Sequence, residues 1–114
     1  MYCVYIVRCT DGSHYTGIAA DIRRRMQEHL GRGALCAKYT RTHPVCELDA
    51  LWRTDSRASA LRLEALIKTL SKAQKLWLIE HPDTLAAVFG ERLRGSVYEP
   101  VAPVSLDRIL TETG

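Results

Sequence analysis

The sequence predicts an α/β fold of the α+β kind: a small three-stranded antiparallel sheet flanked by helices, followed by a C-terminal extension. Three observations carry this. Two short runs rich in β-branched and aromatic residues are joined by Asp11-Gly12, which reads as a hairpin. A third, alternating run follows at Val45 to Arg53. From Asp55 onward, capping residues and helical apolar spacing recur. The resulting order, ββαβααα, is that of an antiparallel sheet with helices packed on it.

Residues 2–8 form the first strand by composition. Asp11-Gly12 is a two-residue turn signal, since such a turn needs positive φ at both central positions, and Ser13 to Gly17 is the returning strand. Asp21 is placed to cap a first helix with Ile22, Met26 and Leu30 on one face, ended by Gly31 and Gly33. In the third strand Cys46, Leu48, Ala50 and Trp52 alternate with Glu47, Asp49 and Arg53. Leu51 breaks the pattern, so the outer face also carries some cover. Asp55 or Ser56 caps a second helix with Ala60, Leu63, Ile67 and Leu70 inward. Ser71 to Gln74 is a capping box opening a third helix, which runs through Leu76, Trp77 and Ile79 to His81-Pro82. A short fourth starts at Asp83 or Thr84 and ends at Gly90. Val97 to Val104 is extended and proline-spaced, and Ser105 to Thr111 has the length of one or two helical turns.

A chain of 114 residues makes one domain with one modest core, and 46% apolar with 25% charged residues excludes wholesale disorder. No apolar run approaches the roughly 20 residues of a membrane span. Met1 to Ile6 has neither a basic n-region nor a cleavage-site pattern, so the expectation is a cytoplasmic protein. The net charge of +3 is uneven: residues 1–82 hold 13 Lys/Arg against 8 Asp/Glu, residues 83–114 hold 3 against 5. A basic front half fits a polyanionic partner. Among the four cysteines there is no C-x-x-C. His43-x-x-Cys46 with Cys36 lacks the fourth ligand and tight pairs of a zinc knuckle. Cys3, Cys9 and Cys46 fall on apolar strand positions and read as buried free thiols.

Helical phase distinguishes the residues that could carry chemistry. With Ile22 at 0°, Met26 falls near about 40°, His29 near about 340° and Arg25 near about 300°, whereas Arg23 and Arg24 fall near about 100° and about 200°. His29 therefore lies in the apolar face and Arg25 at its rim. A guanidinium there needs a carboxylate or a backbone carbonyl. Glu64 lies about 60° from Ile67, at the border of the second helix's buried face, where an i, i+4 pair with Lys68 is the plain reading. Tyr5 alternates with Cys3 and Val7, and a lone strand tyrosine is ordinarily packing. The conjunction says more than its members. Paired hairpin tyrosines, Tyr5 and Tyr15, are followed by Gly17, by Arg25 ten residues after the second tyrosine, and by His29 four later.

That conjunction resembles the GIY-YIG nuclease superfamily. Val4-Tyr5-Ile6 stands for its first motif, Tyr15-Thr16-Gly17 for its second, and Asp21 to His29 for its arginine-bearing helix. Ala37-Lys-Tyr-Thr-Arg41 and Arg57 to Lys75 are similar to the small stand-alone bacterial members. The resemblance covers about residues 2–80, which makes residues 1–82 a nuclease-like domain and residues 83–114 a tail without a counterpart. It departs from the family where Val4 replaces a glycine and Thr16 an isoleucine. The chain also has no asparagine, a residue that many members carry near the end of the domain.

The resemblance implies a metal-dependent endonuclease acting on DNA, single-stranded or branched, without sequence specificity. It implies Glu64 as the ligand of one Mg²⁺ or Mn²⁺, a hard cation suited to a carboxylate plus waters. Arg25 would meet the scissile phosphate with its planar fork. One tyrosine would act as general base or place the water; which of Tyr5 and Tyr15 does so, and whether His29 relays the proton, stays open. Lys38, Tyr39 and Arg41 would sit on a mobile basic loop that grips the backbone and stacks a base. Two other readings stand beside this one: a nucleic-acid-binding module with weak or no turnover, and a protein-interaction domain with an acidic tail.

Overall fold

The computed structural model describes residues 1–31 and 33–111; Arg32, in the stretch after the first helix, and residues 112–114, the end of the tail, lie outside the described residues. β1 (Tyr2–Cys9) and β2 (His14–Ala19) form the hairpin. Three residues, Thr10 to Gly12, rather than two lie between the hydrogen-bonded Cys9 and Ser13. Cys9 N–H donates to the Ser13 carbonyl at 2.8 Å, and Gly12 alone supplies the left-handed geometry, with φ +85°. The Asp11 carboxylate accepts from both the backbone and the hydroxyl of Ser13, closing the turn through a side chain.

β1 is central, because β3 (Val45–Thr54) pairs along its other side. The sheet order is β2-β1-β3-β4, four strands where three were expected. β4 (Glu99–Pro100) adds to β3 opposite Trp52 and Arg53. Pro100 brings no N–H, which suits a very short edge strand. The β1–β3 register slips twice: Ile6 faces Ala50 but Val7 faces Leu48, and Arg8 faces Glu47 but Cys9 faces Val45. Asp49 and Cys46 are thus passed over as bulges, and each bulge turns the strand over. Ala50 and Trp52 pack on one face of the sheet, Leu48 and Leu51 on the other. Cys46 is exposed, not buried as the simple alternation implied, whereas Cys3, Cys9 and Cys36 are buried free thiols.

The helices take up both faces. α1 (Ile22–Gly31) buries Met26 and His29. Leu30 is 41% exposed rather than inward, since the buried arc centres between Met26 and His29 and leaves it on the flank. α2 (Lys38–Thr42) is a helix of five residues where a loop was expected. α3 (Arg57–Lys68) starts at Ser56, whose side chain accepts from the Ser59 N–H. α4 (Lys72–Glu80) opens with the complete Ser71/Gln74 capping box. Leu78 is its buried residue, while Leu76 and Trp77 are exposed. α5 (Leu85–Phe89) runs into a 3-10 turn at Gly90–Leu93, and α6 (Leu106–Thr111) closes the described chain.

Against one face, Val4, Ile6, Ala50 and Trp52 pack with Ala60, Leu63 and Ile67 of α3, joined by Leu78, Leu85, Phe89 and Leu93. Trp52 Nε1 donates to the Pro82 carbonyl at 2.7 Å, so the buried indole is satisfied. Against the other, Cys3, Tyr5, Val7, Leu48 and Leu51 meet Met26 and Ile109, with Val101, Val104 and Leu106 around them. The Glu47 carboxylate accepts the Leu106 N–H at the start of α6. Residues beyond 83 therefore cover both faces, and β2 stands at the sheet edge with α1 on one side and α3 on the other. Among the described residues, no helix is long and apolar enough to cross a membrane.

Candidate active site

Hairpin register decides how the tyrosines meet. Tyr5 pairs with Gly17 and Val7 with Tyr15, so the two rings are diagonal neighbours on the α1 face, their centroids 6.4 Å apart. Gly17 is required by that contact. A Cβ there would lie 2.6 Å from Tyr5 Cζ and clash with the hydroxyl.

α1 lowers two side chains onto Tyr5. Its hydroxyl lies 2.7 Å from His29 Nε2, and Arg25 Nε donates to the same oxygen at 3.4 Å. The imidazole also stands edge-on to both phenol rings, at 5.6 and 5.7 Å. Its other nitrogen, Nδ1, lies 2.7 Å from Thr40 Oγ1 of α2. Burial, helped by the Arg25 charge, lowers the His29 pKa to about 4, so the ring is neutral at neutral pH. Burial pushes the Tyr5 phenol well above its ordinary value, with Arg25 opposing, so Tyr5 holds its proton.

Arg25 has both kinds of partner that its rim position demanded. Nη1 donates to Glu28 Oε1 at 2.8 Å and to the Leu35 carbonyl at 2.7 Å. Glu28 and Thr40 were not foreseen as part of the cluster; the i, i+3 spacing from Arg25 was the available signal for the first. α3 brings Glu64 and Lys68 to the same sheet edge. They form the plain i, i+4 pair at 3.5 Å, yet the Glu64 side chain is only 18% exposed. Its charge reaches Tyr5, and Lys68 Nζ lies 5.7 Å from the centre of the Tyr15 ring. Tyr5, Tyr15, Arg25 and His29 thus gather in one cluster, which Glu64 borders.

Lys38 and Arg41 point outward on α2, with Arg41 Nη2 donating to the Cys36 carbonyl at 3.3 Å. Tyr39 is partly exposed, but its ring is already engaged: it stacks on His43 at 3.9 Å and lies near-parallel to Tyr15 at 6.1 Å.

Residues 1–76 match the family model of the GIY-YIG catalytic domain. The chain belongs to the GIY-YIG family. It is 43% identical over 83 residues to a UPF0213 protein of Fusobacterium nucleatum, spanning 73% of this chain and 81% of the relative. Identity to a UPF0213 protein of Halobacterium salinarum is 45% over 76 residues, 66% of this chain and 95% of the relative. A solution NMR structure of a UPF0213 protein from Bacillus halodurans is 37% identical and covers 80% of this chain and 96% of its own, with a TM-score of 0.47.

GIY-YIG is a nuclease family, so membership implies a nucleic-acid substrate, and its nucleases generally depend on a divalent metal. The two motif departures lie away from the tyrosine cluster. Val4 packs in the α3-side core. Thr16 is buried with its hydroxyl oxygen unpartnered, a local cost of threonine where GIY-YIG proteins carry isoleucine. Among the described residues, no three His, Cys, Asp or Glu side chains gather to hold an ion. The donor chemistry still fits: one carboxylate completed by waters and a substrate phosphate is a normal Mg²⁺ shell, and Glu64 offers hard oxygens on a largely covered side chain whose charge is felt at Tyr5.

Proposed function

We propose that this protein is a divalent-metal-dependent endonuclease that hydrolyses DNA phosphodiester bonds, in single-stranded or branched DNA and without sequence specificity. The observation that carries this reading is the meeting of three groups at one oxygen: Tyr5 Oη, 2.7 Å from His29 Nε2 and 3.4 Å from Arg25 Nε. Hydrolysis needs a water stripped of a proton, a cation against the phosphate and support for the leaving oxygen. Glu64 would hold Mg²⁺ or Mn²⁺, and the bound ion supplies Lewis acidity toward the phosphate and charge support for the leaving group.

The chain's own residues handle the rest. Tyr5 takes the proton of the attacking water as its own hydroxyl proton passes to His29 Nε2. Arg25 is held by Glu28, the Leu35 carbonyl and Tyr5 through Nη1 and Nε, so it presents Nη2 to a phosphate oxygen already oriented. An anionic phosphate beside Arg25 offsets the guanidinium's repulsion of an imidazolium, which raises the proton affinity of His29 when substrate arrives. Tyr15, beside Tyr5 and under Lys68, borders the position of the water. Lys38 and Arg41 meet the nucleic-acid backbone, and such contacts carry no sequence information. With its ring stacked on His43, Tyr39 serves as a wall of the cleft rather than as a free stacking platform.

A second reading, a nucleic-acid-binding module without turnover, is favoured by one observation, the absence of any asparagine. Labelled single-stranded, duplex and branched DNA, incubated with Mg²⁺, Mn²⁺ or EDTA, separates the two. Cleavage is expected with metal only, and Glu64→Gln is expected to reduce it at least about 100-fold with little change in thermal stability. Salt-sensitive binding without cleavage supports the module instead. Cleavage that persists in EDTA, or undiminished in Glu64→Gln, sinks the metal-dependent reading.

A further inference from the structure

We propose that Thr40 is a positioning residue: its hydroxyl oxygen accepts the Nδ1–H of His29 and so holds the imidazole in the tautomer whose Nε2 is bare toward the Tyr5 hydroxyl. Only its effect on cleavage rests on the nuclease reading above.

A count of donors and acceptors leads there. Two nitrogens reach the Tyr5 oxygen, and Arg25 Nε can only donate. Tyr5 is 1% exposed, so its hydroxyl proton must go to His29 Nε2, which is then unprotonated. A neutral imidazole keeps its hydrogen on the other nitrogen, Nδ1. The atom waiting 2.7 Å away is Thr40 Oγ1. Thr40 sends its own hydrogen to the Ala37 carbonyl at 3.2 Å, and the Cys36 thiol, 3.1 Å from the same oxygen, has a further acceptor in the His29 carbonyl at 3.5 Å. With the polarity reversed, Thr40 would donate to Nδ1 and Nε2 would carry the hydrogen. The buried phenol would then face two donors with no acceptor for its own proton among these contacts. Burial, which keeps His29 neutral, points the same way.

The position on α2 explains why this role falls to Thr40. It is fully buried, whereas Lys38, Tyr39 and Arg41 around it are exposed. One turn of helix therefore presents cations outward and fixes the imidazole inward. Docking of α2 sets the direction in which the Tyr5 proton can move.

Long-range ¹H–¹⁵N spectra of histidine-labelled protein, at neutral pH and without DNA, read the tautomer directly. His29 is expected to show a protonated Nδ1 and an unprotonated Nε2. Thr40→Val keeps the shape and removes the acceptor; it is expected to shift His29 toward the Nε2–H form and to slow cleavage about 100-fold. Thr40→Ser is expected to restore both. A wild-type His29 protonated on Nε2, or a Thr40→Val spectrum identical to wild type, overturns the proposal. Should Thr40→Val fail to fold, the wild-type spectrum and Thr40→Ser still decide it, since loss of the Nδ1–H form in the serine variant counts against. A wild type that shows the expected tautomer but cuts no DNA supports the role of Thr40 while overturning the nuclease reading.

Discussion

His29 ties the stability of the protein to pH. Burial, then the Arg25 charge, lowers its pKa to about 4 from the ordinary 6.5, with Glu28 opposing. Between those values the unfolded chain binds more protons than the folded one. Its contribution to stability is therefore complete above about pH 6.5 and is lost as pH falls toward about 4, with a slope of at most about 1.4 kcal/mol per pH unit. Thermal unfolding of wild type and His29→Gln from neutral to acid pH checks this: the wild type should lose stability more steeply across that window, and parallel curves would count against it. At this scale the sequence was informative about position and about partners one helical turn away, such as Lys68 for Glu64, and silent about partners farther along the chain. Helical phase put His29 inward and Arg25 at the rim, because a helix's own geometry sets phase. That Arg25 reached the Leu35 carbonyl, and His29 reached Tyr5 and Thr40, depended on the approach of β1 and of the stretch around α2, from 24 residues before His29 to 11 after it.

Among the elements, the hairpin shows why its second motif ends in glycine. β2 can lie beside β1 only if nothing projects where the Tyr5 hydroxyl meets His29 and Arg25, and Gly17 sits directly opposite Tyr5. Gly17→Ala should push the phenol off this point. The expected result is a loss of roughly 1–3 kcal/mol of stability together with most of the cleavage activity, read by thermal unfolding and a DNA-cutting assay. An alanine variant with wild-type activity would remove Tyr5 Oη from the argument. Elements announced by local signals were legible, among them the Ser56 and Ser71 caps, whose hydrogen bonds span only three residues. α2 was not. Five residues lie below the length at which a helix is stable alone, and its inward anchor is a threonine, which carries no apolar signal. The bulges at Cys46 and Asp49 were equally invisible, because a bulge is a property of two paired strands and not of one.

At the scale of the molecule, the segment beyond residue 83 completes the core, although the family match ends at residue 76. Leu85, Phe89 and Leu93 close one face of the sheet, while Val101, Val104, Leu106 and Ile109 close the other, over Leu51 and beside α1. Ile109→Ala is expected to cost roughly 2–5 kcal/mol, measured by denaturant or thermal unfolding, without removing any group from the cleft. A change within experimental error would mean that α6 contributes no packing. The sequence by itself determined the order of the longer strands and helices, the caps, the inward phase of His29 and the motif pair around the hairpin, since each is encoded over a few neighbouring residues. Only the tertiary structure decided the fourth strand, the burial of Cys36 in place of Cys46, the approach of Tyr39 to Tyr15, and the meeting of Tyr5, Arg25, His29 and Thr40. Those outcomes depend on register and docking between segments far apart in the chain, where a one-residue slip reverses which side chains face each other.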